Sequence, residues 1–125
     1  MAAIKSESRL FHFIGSLFIS LTYLLIYPMY RAAITAGPNS TLGYRTARSR
    51  ASEAAWEFAN ALAADYSIWV AIILTILVLV VSAILYFLKV KNISAWRALT
   101  YGTFGLWMVG TIIVIVLVEH ALAIL

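Results

Sequence analysis

The fold of this chain is decided by residues 70–85, VAIILTILVLVVSAIL, in which every side chain except Thr75 and Ser82 is apolar. The wider segment 66–88 contains no Asp, Glu, Lys or Arg. A helix of about 20 apolar residues crosses the roughly 30 Å hydrocarbon core of a bilayer. Only helices and closed barrels satisfy backbone polar groups in lipid, and a continuous apolar run favours the helix over the alternating pattern of a barrel strand. The stretch therefore predicts a transmembrane helix.

Two further segments, 10–30 and 98–118, also lack formally charged side chains and predict two more spans. The composition agrees, because 64% of the 125 residues are hydrophobic and 11% are charged, against about 45–50% and 25% in soluble domains. We therefore expect a single all-α integral membrane domain over residues 1–125 with three transmembrane helices. A secretory signal peptide is the alternative for the first segment, but its apolar run is longer than the roughly 7–15 residues usual for such signals.

The segment 44–65, YRTARSRASEAAWEFANALAAD, predicts an amphipathic helix before the second span. Its apolar face repeats every three or four residues and consists of Ala47, Ala51, Ala54, Ala55, Phe58 and Leu62. The helix either lies on the membrane surface or runs straight into span two as one rod. Its face either packs on the bundle or docks a partner subunit through Ala51, Ala55 and Phe58.

Charge predicts the orientation. The short loop between spans two and three contains three cations and no acid: Lys89, Lys91 and Arg97. Cytoplasmic loops carry excess Lys and Arg, so this loop and the N-terminus, with Lys5 and Arg9, are expected inside and the C-terminus outside. The arginines of segment 31–65 argue the other way. We expect a multi-pass protein of the plasma membrane, with cations that meet anionic lipid heads rather than nucleic acid.

The residue types that most often bind metals or catalyse reactions are absent from this chain or lie far apart in it. There is no cysteine, and His12 and His120 lie near opposite ends of the predicted bundle, so they cannot share one iron. Each remains a candidate single ligand completed by another subunit. The first acid of span three is Glu119 at its end; with His120 it forms either an interfacial polar cap or part of another subunit's polar path. We therefore expect no catalytic residue, metal site or cofactor in this chain alone, with lipids as its ligands.

Small residues predict close helix packing. Ser16 and Ser20 lie one turn apart in span one, and Gly102 and Gly105 share a face of span three, which also contains Gly110. These residues are the expected contacts with other membrane protein subunits.

The opening ESRLFHFIGSLF, residues 7–18, resembles the start of the fourth subunit of actinobacterial cytochrome c oxidases. The matching positions are Glu7, Arg9, Leu10, Phe11, Phe13 and Phe18. The resemblance covers about 20 residues, and the oxidase family has the outline of four spans rather than three. It implies a non-catalytic accessory subunit of a respiratory or other oxidoreductase complex, which acts by helix packing.

Residues 44–125 also resemble a conjugative pilin in outline, with an amphipathic helix followed by two apolar helices and the basic loop KVKNISAWR, residues 89–97. Residues 1–40 depart from that outline. This resemblance implies a subunit that polymerises through its apolar hairpin into a DNA-transfer filament, and under it a homo-oligomer is expected. The accessory subunit is the first prediction and the pilin is the alternative.

Overall fold

The computed structural model consists of three long helices that pack against one another: α1 (Ala2–Ala36), α2 (Glu53–Phe87) and α3 (Ile93–Ala123). It describes residues 8–125 with their side chains and residues 2–7 as backbone of α1. No strand occurs among these residues. By length and composition, three helical segments suffice to cross a membrane: Ser8–Ala36, Glu53–Phe87 and Ile93–Ala123. The expected class, an all-α membrane protein with three spans, is confirmed.

The predicted amphipathic helix is the first part of α2, not a separate element. The helix begins at Glu53 instead of near residue 44, and it continues without a break to Phe87. The start is fixed by Ser52, whose side chain accepts a hydrogen bond from the Ala55 backbone N–H at 3.0 Å, because the first N–H groups of a helix need such a cap. Of the two arrangements left open by the sequence, the continuous rod is the one found.

Residues 37–52 form an irregular connection, here called the docked loop, where the sequence predicted part of a helix. Ser49 explains the difference, since its buried hydroxyl accepts from the Thr46 backbone N–H at 2.8 Å and donates to the Tyr44 carbonyl at 3.0 Å. Local serine–backbone bonds of this kind compete with helix formation. Ala51 consequently lies exposed in the loop rather than on a helix face.

The opposite end of the bundle is a tight turn. α2 ends at Phe87, Lys89 adopts a φ of 55°, and Asn92 caps α3 by accepting from the Ser94 N–H at 2.9 Å. The Trp96 indole donates to the Val90 carbonyl at 3.1 Å and holds the turn against α3. The hairpin between spans two and three therefore has the short connection that the sequence predicts.

The core is built from small residues of α2 against branched residues of α3. Its principal members are Ala55, Ala59, Ala63, Val114, Val118 and Leu122. Alanine lets the two helix backbones approach closely. Because lipid provides no hydrophobic driving force between helices, van der Waals contact at this short distance stabilises their association. Large apolar side chains such as Ile73, Val80 and Ile112 point outward, as expected for helices solvated by acyl chains.

α1 is longer than its predicted span. It continues through Pro28 and stops at Ala36. Gly37 follows with a φ of 75° and donates its N–H to the Ala33 carbonyl at 3.1 Å. A glycine in this conformation is the usual helix stop. The first connection therefore starts at residue 37, after a helix that has more than enough length to cross the bilayer.

Candidate functional site

The most elaborate polar arrangement joins the docked loop to the start of α2. Asn60 is fully buried, and its side-chain oxygen accepts from the Tyr44 backbone N–H at 2.7 Å. Its amide donates to the Trp56 carbonyl at 3.0 Å and to the Tyr44 carbonyl at 3.5 Å. The indole of Trp56, also fully buried, donates to the Ala33 carbonyl of α1 at 2.7 Å. One turn of α2 thus fixes both the loop and the end of α1.

Gly43 allows the loop to approach this closely. Its φ is 100°, and a Cβ placed there would lie 2.5 Å from the Ala33 Cβ and 2.6 Å from the Asn60 Oδ1. Any other residue would both strain the backbone and collide with two neighbours. The position therefore needs glycine for conformation and for space.

The loop is also tied to the end of α3 through Glu119. The Tyr44 hydroxyl donates to the Glu119 carboxylate at 2.8 Å, and the Arg48 guanidinium lies 4.0 Å from the other carboxylate oxygen. Burial raises the pKa of Tyr44, and the hydrogen bond to the Glu119 carboxylate raises it further. The phenol therefore stays a donor, which fits a structural tie. Glu119 is thus part of a polar cap, whereas its neighbour His120 is exposed.

The two serines predicted as contacts in span one lie inside the chain's own bundle. Ser16 and Ser20 are fully buried. The Ser16 hydroxyl donates to the His12 carbonyl at 2.7 Å, and the Ser20 hydroxyl accepts from Thr75 of α2 at 3.2 Å. His12 itself hydrogen-bonds Thr100 of α3 at 2.8 Å. These polar groups hold α1 against α2 and α3, so the surface offered to another subunit lies elsewhere.

The three glycines of span three divide into two groups. Gly102 and Gly105 are exposed, and nothing lies within 4 Å of a Cβ built on either. Gly110 faces the bundle, where a Cβ would lie 3.0 Å from the Val70 side chain of α2. The first two remain available to a partner, whereas Gly110 serves internal packing.

The predicted amphipathic face is divided in the same way. Ala55 is buried and Phe58 packs against the core between α2 and α3, so both stabilise the chain itself. Ala51 is exposed in the docked loop. Lys5 and Glu7, used above for orientation and for the oxidase resemblance, lie outside the residues whose side chains are described.

The sequence prediction missed the residues that dock the loop. The apolar spacing of segment 44–65 does not single out Asn60 or Trp56, and no motif points to Gly43. The available signal was an asparagine among alanines, ANALAA at residues 59–64. A polar amide on an otherwise apolar helix face requires partners when buried, so it marks a place where non-helical backbone packs.

The polar side chains described above take part in packing within the chain. Among residues 8–125 no group of three or more His, Cys, Asp or Glu side chains converges as a metal site would require. Within the spans, the polar side chains described above are engaged with backbone or with neighbouring helices. The described surface therefore consists of apolar helix faces, with a polar cap at one end and a basic turn at the other.

No curated protein and no solved structure matches the chain. The model of the SdpI/YfhL protein family matches residues 35–119, which contain the docked loop, all of α2 and α3 as far as Glu119. That family is a membrane family, in agreement with the three spans, and the match gives no support to the respiratory-subunit or pilin predictions. With about two thirds of its residues matched, this chain belongs to the SdpI/YfhL protein family.

Proposed function

We propose that this protein is a non-catalytic immunity protein of the membrane, which protects the cell by packing against a membrane-active toxic partner. Its family is associated with sporulation-delay immunity. A chain with three apolar spans and short connections meets a partner within the bilayer or at its surface. Since buried polar groups such as Ser16, Ser20 and Asn60 hold the chain's own helices and loop together, helix packing is the activity left to the exposed faces.

The exposed glycine pair on α3 is the observation that carries the proposal. Gly102 and Gly105 leave the α3 backbone uncovered on one side. Beside Gly102, a shallow apolar groove of about 300 Å³ runs between Leu77 and Val81 of α2 and Ala98 of α3. Small residues permit the close backbone approach on which association in lipid depends. An apolar helical segment of the toxic partner is the kind of ligand that fits this surface.

Survival of a sensitive bacterium tests the proposal. Cells that express the chain are challenged with a series of membrane-active peptide toxins, and the lethal dose is compared with that of cells carrying an empty vector. We expect protection against at least one toxin, its loss in Gly105→Leu, and its retention in the matched variant Gly15→Leu, because a Cβ built on Gly15 of α1 also meets no atom within 4 Å. Equal survival of vector and wild-type cells, with the protein folded in the membrane, would refute the proposal.

Purification of the native protein separates this function from the accessory-subunit prediction. Stoichiometric recovery with haem- or copper-bearing chains would assign the protein to an oxidoreductase complex, in which the same glycine face would contact partner helices. Recovery in shed filaments would assign it to the pilin alternative. The immunity proposal expects neither result.

We further propose that the N-terminus and the turn between α2 and α3 face the cytoplasm. Arg9 lines the same surface cavity as Lys89 and Lys91, so the cations of both segments share one end of the bundle. Excess Lys and Arg favours the cytoplasmic side. At the other end Arg48 is accompanied by Glu119, so positive charge there is partly compensated.

A further inference from the structure

An apolar cleft of about 460 Å³ opens on the side of the bundle near the basic turn. It is lined by residues of all three helices, among them Leu10 and Phe13 of α1, Leu79 and Ser82 of α2, and Trp96 of α3. Sites for small molecules have volumes of about 300–1,000 Å³. The cleft is thus large enough for a ligand, and it lies away from Gly102 and Gly105.

Ser82 is the unexplained polar group of this cleft. Its side chain is 6% exposed, and among the described residues it is the buried side chain whose polar atom has no hydrogen-bond partner. Hydroxyls elsewhere in these helices bond the carbonyl one turn earlier, as Ser67 does to Ala63 and Thr103 to Leu99, both at 2.7 Å. A buried hydroxyl without a partner is unfavourable. An acceptor on a bound molecule would satisfy Ser82.

The mouth of the cleft is positively charged. Arg9 lines the cleft and also an adjoining cavity of about 280 Å³, which it shares with Lys89 and Lys91. Both lysines are exposed. Tyr86 and Phe87 lie beside the same cations, and aromatic rings favour the headgroup depth of a membrane. The site therefore combines an apolar interior with a cationic entrance at the level of the lipid headgroups.

We propose that this cleft binds one anionic phospholipid. Its phosphate lies among Arg9, Lys89 and Lys91, one acyl chain follows Leu10 and the α2 residues of the cleft, and an ester carbonyl accepts from the Ser82 hydroxyl. Ser82 lies five residues before Phe87, or about 7.5 Å along the helix, so the hydroxyl is deeper than the cations. The order of groups from surface to interior matches that of a phospholipid: phosphate, ester, hydrocarbon.

A helical peptide fits the cleft less well. The cations at its mouth, Arg9, Lys89 and Lys91, attract an anion, and an apolar helix carries no charge that would pair with them. A phospholipid supplies the complementary phosphate, an ester carbonyl that can accept from Ser82, and an acyl chain for the apolar interior.

Native mass spectrometry of the full-length protein in detergent tests the proposal. The protein is incubated with phosphatidylglycerol, with phosphatidylcholine of the same acyl chains, or with inorganic phosphate alone. We expect one phosphatidylglycerol to be retained and phosphatidylcholine to be retained far less. Lys89→Ser/Lys91→Ser should reduce retention about thirtyfold, since each of the two cations near a lipid surface contributes about 1 kcal/mol. The matched control Arg31→Ser/Arg50→Ser removes two exposed cations outside the cleft and should retain the lipid.

Two variants of Ser82 test the interior of the site. Ser82→Leu fills the cleft and should abolish retention of phosphatidylglycerol, whereas Ser82→Ala keeps the space and should weaken retention without abolishing it. Circular dichroism establishes that each variant is folded. Equal retention of both lipids by wild type, equal retention by the two double variants, or unchanged retention in folded Ser82→Leu would overturn the proposal. So would displacement of the lipid by inorganic phosphate, because the apolar interior would then contribute nothing.

Discussion

The single side-chain amide of Asn60 pairs with both backbone polar groups of Tyr44: it accepts the N–H at 2.7 Å and donates to the carbonyl at 3.5 Å. A loop residue that enters an apolar bundle must find partners for both groups. Asn60 supplies them from the helix side, so that irregular backbone can pack where the bundle is otherwise made of alanine. The docked loop therefore depends on one residue of α2.

Replacement of Asn60 by alanine is expected to unfold the loop first and then to weaken the bundle. Asn60→Ala leaves the Tyr44 N–H unpaired in a buried position, and an unpaired buried donor costs about 1–3 kcal/mol. We expect a loss of that size in the free energy of unfolding, measured by denaturation in mild detergent. Glu57→Ala is the control on an exposed position one turn away and should change stability by less than about 0.5 kcal/mol. Equal effects of the two substitutions would contradict the assigned role.

Three glycine-to-alanine substitutions should lower the thermal stability of the protein to different degrees, most for Gly43→Ala, less for Gly37→Ala and least for Gly105→Ala. Gly43→Ala meets both an unfavourable φ and two neighbours, Gly37→Ala meets only the unfavourable φ, and Gly105→Ala meets neither. Left-handed backbone costs roughly 1–2 kcal/mol for other residues, whereas alanine in an exposed helix is favoured by up to about 1 kcal/mol over glycine. Thermal denaturation of the three variants checks the order.

A second-site change isolates the steric part of the Gly43 effect. Because the nearest atom to the added methyl group is the Ala33 Cβ, Ala33→Gly should recover part of the stability lost in Gly43→Ala. If the double variant is as unstable as the sum of the two single variants predicts, the two residues do not interact.

The burial of Tyr44, together with its hydrogen bond to Glu119, should give the protein an alkaline limit. The pKa of Tyr44 is raised above the usual value of 10.0 in the folded protein, so the folded state keeps this proton after the unfolded chain has lost it. The resulting stabilisation is complete below pH 10 and is lost as pH rises from there through the raised pKa. Wild-type stability should therefore fall more steeply above pH 10 than that of Tyr44→Phe.

Tyr101→Phe, on an exposed position of α3, is the control for the alkaline titration. Its stability should follow the wild-type curve above pH 10. Parallel curves for wild type and Tyr44→Phe would show that neither burial nor the Glu119 carboxylate raises the pKa of Tyr44 in the folded protein.

The absence of cysteine from the chain permits a direct test of orientation. Arg50→Cys places a single thiol in the docked loop, and Lys91→Cys places one in the basic turn. A membrane-impermeant maleimide applied to intact cells should label the first variant, and it should label the second only after the membrane is opened. The reverse pattern would place the basic turn outside.

The number and class of the helices could be predicted because they depend on apolar length alone. Residues 66–88 must be helical in lipid whatever they touch, and the structure gives a helix there. The start of α2 could not be predicted, because the alanine and arginine spacing of residues 44–52 is compatible with a helix. The outcome depends on the local hydrogen bond of Ser49 to Tyr44 and on Asn60, whose hydrogen bond to Tyr44 exists only after the loop has folded against α2.

The sequence also could not predict which small residues face the chain's own helices and which remain exposed. Ser16, Ser20 and Gly110 satisfy the same local pattern as Gly102 and Gly105, but the first three face the chain's own helices. A spacing of three or four residues identifies a helix face and does not say which neighbour covers it. The distinction between an internal contact and an available surface required the relative rotation of all three helices.

α2 is much longer than the hydrocarbon core of a membrane is thick. Its 35 residues extend about 52 Å, whereas the hydrocarbon core is only about 30 Å thick. The excess, together with the loop held by Asn60, forms an ordered polar head on one side, while the other side ends in a tight turn. Conformational antibodies raised against the native protein should bind that head, and such an antibody would provide the rigid landmark that makes a protein this small visible by electron microscopy.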